Sequence, residues 1–281
     1  MLIVHLNPQT TPLYDYVSSV DGRNIARSGQ AVAKDLPRLG GEVVAVVPWQ
    51  VLAWHLVTLP PGVGGRLNAV LGSLLEEHCL KDPSELHWVL SPHATSLLRQ
   101  GGPAMVAACA KYWLRQALAP LLAAGLRIQR LVPEVCPSLT PDAAQLYLLD
   151  DGARVQALLC RHDSVWRLPQ PSSALAAWEP IPNKTLWCEP TVADTAQRMS
   201  DSMVLLQTPQ QRWLQAAGNG WNLAQGEWAQ HSGLRGWRWV QSAWRSVRFD
   251  HAWQASRRGL AFLLLVNLLG LNLWAWQVQA Q

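Results

Sequence analysis

QLYLLDDGARVQALLC, residues 145–160, is the stretch on which the fold turns. Gln145–Leu149 and Arg154–Cys160 read as two strands, and Asp151-Gly152 between them offers the positive φ that a tight hairpin needs. The same pattern stands at the start of the chain. Leu2–Leu6 and Leu13–Val17 read as short strands, and Asp21-Gly22 turns into a third around Ile25–Ser28. Beyond the first hairpin the chain alternates as well. Glu42–Val47 and Val51–Leu59 are strand-like, Arg66–Leu80 has apolar residues at 67, 70, 71, 74 and 75 with Glu76 and Glu77 outside, and Leu86–Leu90 and Met105–Cys109 return to strand. Lys111–Ala124 is a helix and Leu126–Val132 a strand closed by Pro133. After the second hairpin come Val165–Leu168, Leu186–Glu189 and Val204–Gln207 as strands and Gln210–Ala217 as a short helix. Hairpin strands followed by helix–strand alternation, twice over, predict a two-lobed α/β body. The divide falls at Pro133–Asp142, giving lobe 1 as residues 1–138 and lobe 2 as residues 139–230.

The chain of 281 residues is long enough for two such lobes and an appendage. Apolar residues make up 49% and charged residues 15%, which excludes a disordered or nucleic-acid-wrapping chain. The net charge of +4 is unevenly placed: residues 231–281 hold six Arg against one Asp, and the rest is close to neutral. Neutralising phosphates needs Lys and Arg spread over a binding face, so no nucleic-acid partner is expected. A basic end suits anionic lipid instead. Met1–Leu6 lacks the basic n-region and the apolar length of a signal peptide. The five Cys (79, 109, 136, 160, 188) are widely spaced without a C-x-x-C, so they read as core thiols and no metal is expected.

Gly259–Val278, GLAFLLLVNLLGLNLWAWQV, is twenty residues without a charge. At about 1.5 Å per residue it is long enough for the hydrocarbon core of a bilayer. Arg257 and Arg258 stand directly before it, so the positive-inside rule keeps the N-terminal side in the cytoplasm and leaves 279–281 as a periplasmic stub. Asn267, Gly270 and Trp274 share one helix face, where a small residue beside a polar one suits helix pairing in lipid. The preceding segment, 231–258, is rich in Trp and Arg. Within it Trp237, Val240, Trp244 and Val247 form an apolar stripe with Arg235, Arg238 and Arg245 roughly opposite, the pattern of an interfacial helix.

Several short elements occur in a distinctive order. They are Val44-Ala45-Val46-Val47-Pro48; Thr58-Leu59-Pro60; Leu74-Leu75-Glu76-Glu77; and Asp82-Pro83-Ser84-Glu85-Leu86-His87. Further on come Ala124-Gly125-Leu126 with Leu131-Val132-Pro133-Glu134, and Asn222-Leu223-Ala224-Gln225-Gly226-Glu227-Trp228. In this order the chain resembles the L protein of the bacterial type II secretion system. The resemblance implies a degenerate actin-like (ribonuclease H-like) α/β body in the cytoplasm, followed by one transmembrane helix in the inner membrane. It also implies a platform component that recruits the secretion ATPase (the E protein), pairs with the M protein, and associates with itself and other platform subunits.

An actin-like ATPase holds phosphates on Gly-containing hairpin turns, where backbone N–H groups approach the oxygens. Leu6-Asn7-Pro8-Gln9-Thr10 has neither Gly nor carboxylate, and its Pro removes a donor. Asp150-Asp151-Gly152 resembles a second phosphate loop, but an isolated Asp-Gly is more often a plain hairpin turn. Gly62-Val63-Gly64-Gly65 lacks the Lys and spacing of a P-loop, no G-x-S-x-G occurs, and the eight His are scattered. No catalytic residue and no cofactor are therefore expected. A non-enzymatic membrane adaptor is the first reading, and a membrane-anchored nucleotide-binding protein retaining ATP affinity is the alternative.

Overall fold

The computed structural model describes residues 1–230, except 93, 95, 139, 153, 169–177, 179–180, 182 and 200–202. The expected juxtamembrane segment and span lie outside the described residues, among which no helix is long and apolar enough to cross a membrane.

Three sheets carry the fold. The first is ordered β3-β2-β1-β4-β8, from β1 (Leu2–His5), β2 (Leu13–Ser18), β3 (Arg27–Val32), β4 (Val43–Val47) and β8 (Arg130–Pro133). β1, β2 and β3 pair antiparallel, and β4 and β8 add to β1 in parallel. The third sheet is ordered β11-β10-β9-β12-β13, from β9 (Ala143–Asp150), β10 (Val155–Cys160), β11 (Val165–Leu168), β12 (Asn183–Cys188) and β13 (Val204–Leu206). Its directions repeat those of the first: two antiparallel steps, then two parallel ones. The repetition predicted from the two hairpins is thus a repetition of topology. Between β4 and β8 the chain inserts a three-stranded antiparallel sheet, β5 (Ala53–Leu59), β6 (Leu86–Leu90) and β7 (Gly102–Ala110), ordered β5-β7-β6.

Burial explains the local sequence. Central parallel strands are covered on both faces, so β1 and β4 read as unbroken apolar runs. On one face Leu2, Val4 and Ala45 pack with Leu114, Ala117, Leu118 and Leu121 of α3 (Lys111–Ala123). On the other, Ile3, Val44, Val46 and Val132 meet Trp213, Leu214, Ala216 and Ala217. α1 (Leu67–Leu75) lays Leu71 and Leu75 on the inserted sheet, against Val57, Trp88 and Val106. α2 (Leu97–Gln100) is one turn, and α4 (Ala193–Met199) follows β12.

The structure departs from expectation in several places: the strand expected at 25–28 is Arg27–Val32, the helix Ala193–Met199 was not expected, and three further differences concern the ends and placement of elements. The helix expected over 66–80 ends at Leu75 and passes through a 3-10 turn at Glu76–His78. The strand expected over 126–132 is only Arg130–Pro133, because Leu126 and Ile128 are buried as loop residues in the first core and not on a pleat. Residues beyond 208, expected with lobe 2, pack on the first sheet. α5 (Pro209–Ala217) lies across β1, β2, β4 and β8, and Trp221, Leu223 and Trp228 enter the core on the opposite face, with α3. A capping box between Thr208 and Gln211, with Pro209 in the first turn, starts α5 sharply where the chain crosses back.

Candidate functional site

The parallel strands of both repeated sheets end toward one another, and in open α/β sheets that is where ligands bind. Glu134 follows β8 and Glu189 follows β12; both are buried, and Arg212 of α5, also buried, lies between them. Arg212 Nε donates to Glu134 Oε1 at 2.9 Å, and its Nη2 is 2.7 Å from Glu189 Oε1. Trp213 Nε1 also donates to Glu134 Oε1 (3.1 Å), and the Trp49 backbone N–H donates to Oε2 (3.3 Å). His5, at the end of β1, stacks on the Trp213 ring and holds Nε2 3.5 Å from Glu134 Oε2. Glu189 Oε2 accepts the backbone N–H of Asp150, at the second hairpin turn. Burial opposes the charge on Glu134, but Arg212 and His5 outweigh it and hold the carboxyl well below the usual carboxylate range. For Arg212 burial likewise favours the neutral form, and the two carboxylates reverse this. One guanidinium between two carboxylates leaves an excess negative charge, which is hostile to a phosphate.

The two turns beside this cluster use their backbone internally. In the first, the Gln9 N–H bonds the Asn7 side chain, the Thr10 N–H bonds the Asn7 carbonyl, and the Pro8 carbonyl accepts Trp113 Nε1. In the second, the Gly152 N–H is taken by Asp150 Oδ1 and the Asp151 N–H by the Arg154 carbonyl, with Gly152 at φ +77°. It is a hairpin turn. A cavity of about 230 Å³ next to Arg212 is lined by Cys136, Tyr147, Gln215 and Asn219 among others. Burial pushes the Cys136 thiol up to about 12, so it is neither nucleophile nor ready metal ligand. Among the described residues no group of three or more His, Cys, Asp or Glu is placed to hold a metal.

A second convergence lies where the body ends. The strap Trp221–Trp228 runs along β8: the Leu223 N–H bonds the Leu131 carbonyl at 2.6 Å, and Asn222 Oδ1 takes the Leu131 N–H at 3.2 Å. His87 Nε2 lies 2.7 Å from the Leu223 carbonyl, and Gln225 Nε2 donates to the Leu90 carbonyl. Trp221 meets Trp54 edge-on. Leu86-His87, Leu131–Glu134 and Asn222–Gln225, far apart in sequence, are therefore one joint. It borders a groove of about 1150 Å³ running past α1, Asp82 and Lys111.

The residues singled out from sequence as membrane flank (Arg257, Arg258), pairing face (Asn267, Gly270, Trp274) and interfacial stripe (Trp237, Val240, Trp244, Val247) all lie outside the described residues. The Glu134–Arg212–Glu189 cluster is not legible in the sequence; its only signal is the acidic residue directly after Pro133 in one of the ordered motifs.

A family model described as type II secretion system (T2SS), protein L, matches residues 2–231. Among solved structures, the cytoplasmic domain of EpsL, an inner membrane component of the type II secretion system of Vibrio cholerae, is similar at TM-score 0.56. Its identity is 20%, over 81% of this chain and 98% of that one. A PilM-PilN type IV pilus biogenesis complex aligns at TM-score 0.45 and 12% identity, over 82% of this chain and 98% of that one. A Bacteroides thetaiotaomicron protein described as having an actin-like ATPase fold aligns at TM-score 0.42 and 9% identity, over 76% and 95%. No curated protein sequence matches the chain. The described body has the mixed α/β fold of the EpsL domain.

Proposed function

Because this chain belongs to the type II secretion system protein L family, we propose that it is a non-enzymatic platform component of that system. It is held in the bacterial inner membrane by Gly259–Val278, with residues 1–230 in the cytoplasm as a degenerate actin-like body. The body recruits the secretion ATPase and couples it to membrane partners, among them the M protein. The observation that carries the non-enzymatic part is Arg212 bridging Glu134 and Glu189. Charges that bond one another across the facing strand ends oppose a phosphate, and in the turns on either side the N–H groups of Gln9, Thr10, Asp151 and Gly152 are taken by bonds within the turns. A body without chemistry of its own, ending in a strap bonded into its first lobe, is suited to holding a partner at the membrane. Its near-neutral charge means that docking relies on a shaped patch and not on long-range steering.

Two measurements test this. Calorimetry with magnesium-ATP should give no saturable heat; micromolar binding would establish the nucleotide-binding reading. The ATPase should fractionate with membranes in cells that hold this chain and become soluble in cells that lack it. If it stays on the membrane in both, the chain does not tether it.

A further inference from the structure

The first sheet has a cleft end, where β1 and β8 lead to His5 and Glu134, and an opposite end where β1, β4 and β8 begin. Three loops meet at the opposite end: the β2–β3 turn over 19–26, residues 37–42, and residues 124–129. Met1 ties the first two, since its α-ammonium donates to the Ser19 carbonyl and a Cβ on Gly41 would lie 3.4 Å from its nitrogen. Arg38 ties the second to the third, its Nη2 donating to the Ala124 carbonyl at 2.8 Å. Gln129 closes the ring by accepting the Val43 N–H, next to Glu42. This end is basic although the body as a whole is near neutral. Arg23, Arg27, Arg38, Arg127 and Arg130 stand here with the α-ammonium, against Asp21 and Glu42. The Asp21 carboxylate is taken up by its own turn, accepting the Arg23 and Asn24 backbone N–H groups, and Glu42 lies 4.0 Å from Arg130 Nε. Apolar side chains stand out from the same loops: Val20 is 93% exposed at the turn and Leu39 43%. Trp228, two residues before Gln230, shares a small cavity with Leu122 and Ile128 beside the third loop, so the chain leaves the body at this end.

We propose that this end of the body is a lipid-facing surface, with Val20 and Leu39 entering the headgroup layer of an anionic bilayer and the arginines meeting its phosphates. Cations spread over three loops at the end of a rigid sheet match a plane of negative charge, and anionic leaflets attract such groups when they lie close. Exposed apolar side chains beside them add burial to that attraction, the combination on which interfacial binding rests. The exit of the chain selects lipid over an acidic protein. The bilayer held by residues 259–278 is within reach of residues 231–258, so this end meets it at high local concentration. The proposal rests on the reading that 259–278 anchors the chain. It turns the cleft end of lobe 1, with the Arg212 cluster, away from the membrane and toward cytoplasmic partners.

A fluorescent label at the turn tests this. The full-length Val20→Cys chain, labelled with nitrobenzoxadiazole, is reconstituted into phosphatidylcholine vesicles with or without phosphatidylglycerol, and the unsubstituted chain treated alike gives the blank for native cysteines. With phosphatidylglycerol the label should become at least twofold brighter and be quenched by nitroxide-bearing lipid. The same label at Gln9→Cys, exposed at the cleft end of the same sheet, should show neither effect. Arg23→Glu combined with Arg127→Glu alters only exposed side chains, so circular dichroism should be unchanged while the rise at position 20 falls by at least half. High salt should lower the rise as well. Carbonate extraction of the vesicles reads the anchor separately: an extracted chain refutes anchoring by 259–278, and the proposal falls with it. A retained chain whose position 20 is not quenched, or is quenched no more than position 9, overturns the proposal alone. So does an unchanged rise in the double variant. A label that brightens without quenching is covered by protein, and that too overturns it.

Discussion

Glu134 accepts bonds from Arg212, Trp213 and the Trp49 backbone, and removing its charge strands Arg212 on that side. Glu134→Gln should cost about 3–5 kcal/mol in urea unfolding at pH 7, the usual loss on breaking a buried pair. The pH dependence has a definite sign. The folded carboxyl titrates below its unfolded value of about 4.3, so its stabilisation is complete above that pH and is lost as pH falls further. The variant should show a flatter acid limb between roughly pH 5 and 2 when unfolding is followed by Trp fluorescence. Gly101 tests backbone conformation instead. At φ +77°, a Cβ there would sit 2.8 Å from the Leu59 carbonyl, so Gly101→Ala should lower the thermal midpoint, with a cost above about 1 kcal/mol. None of this was legible in the sequence. Two charged residues 78 positions apart share no period, and only the fold brings them together.

At the scale of elements, hairpins and central strands were readable because short apolar runs bounded by Asp-Gly turns or by proline admit few alternatives. α4 was not, since ADTAQRM is short, polar and without an apolar stripe. The strap was visible as a motif but not as a mechanical part: Trp221-Asn222-Leu223 makes no element of its own, and its bonds go to residues some 90 positions away. Asn222→Ala withdraws an acceptor from the N–H groups of both Leu131 and Ala224. It should cost about 1–3 kcal/mol. Hydrogen exchange should quicken at the Leu131 amide, while amides of β9 and β10 keep their protection. Uniform quickening would mean that the strap has no local role.

For the whole molecule, the repeated sheet topology was legible from one repeated hairpin, but which residues pack on which sheet was not. α5 is an ordinary amphipathic helix, and nothing in its sequence says which sheet it covers. The proposed topology rests on Arg257 and Arg258 against an uncharged far side. A phosphatase fused after Gln281 should be active in the periplasm, and cytoplasmic activity alone would reverse the orientation. If 259–278 is the proposed helix, Gly270→Leu should weaken its association in a membrane two-hybrid assay more than Asn272→Leu, because five residues along a helix turn the chain by about 140° from Asn267. The Arg212 bridge also bears on the order of synthesis. Glu134 is made 78 residues before its partner, which at roughly 5–20 residues per second is an interval of about 4–16 s. Glu189 joins Glu134 partway through that interval, and until Arg212 is made the nascent chain holds the carboxylates without the guanidinium that bridges them. α5 supplies that guanidinium shortly before residues 259–278, the proposed membrane segment, are made.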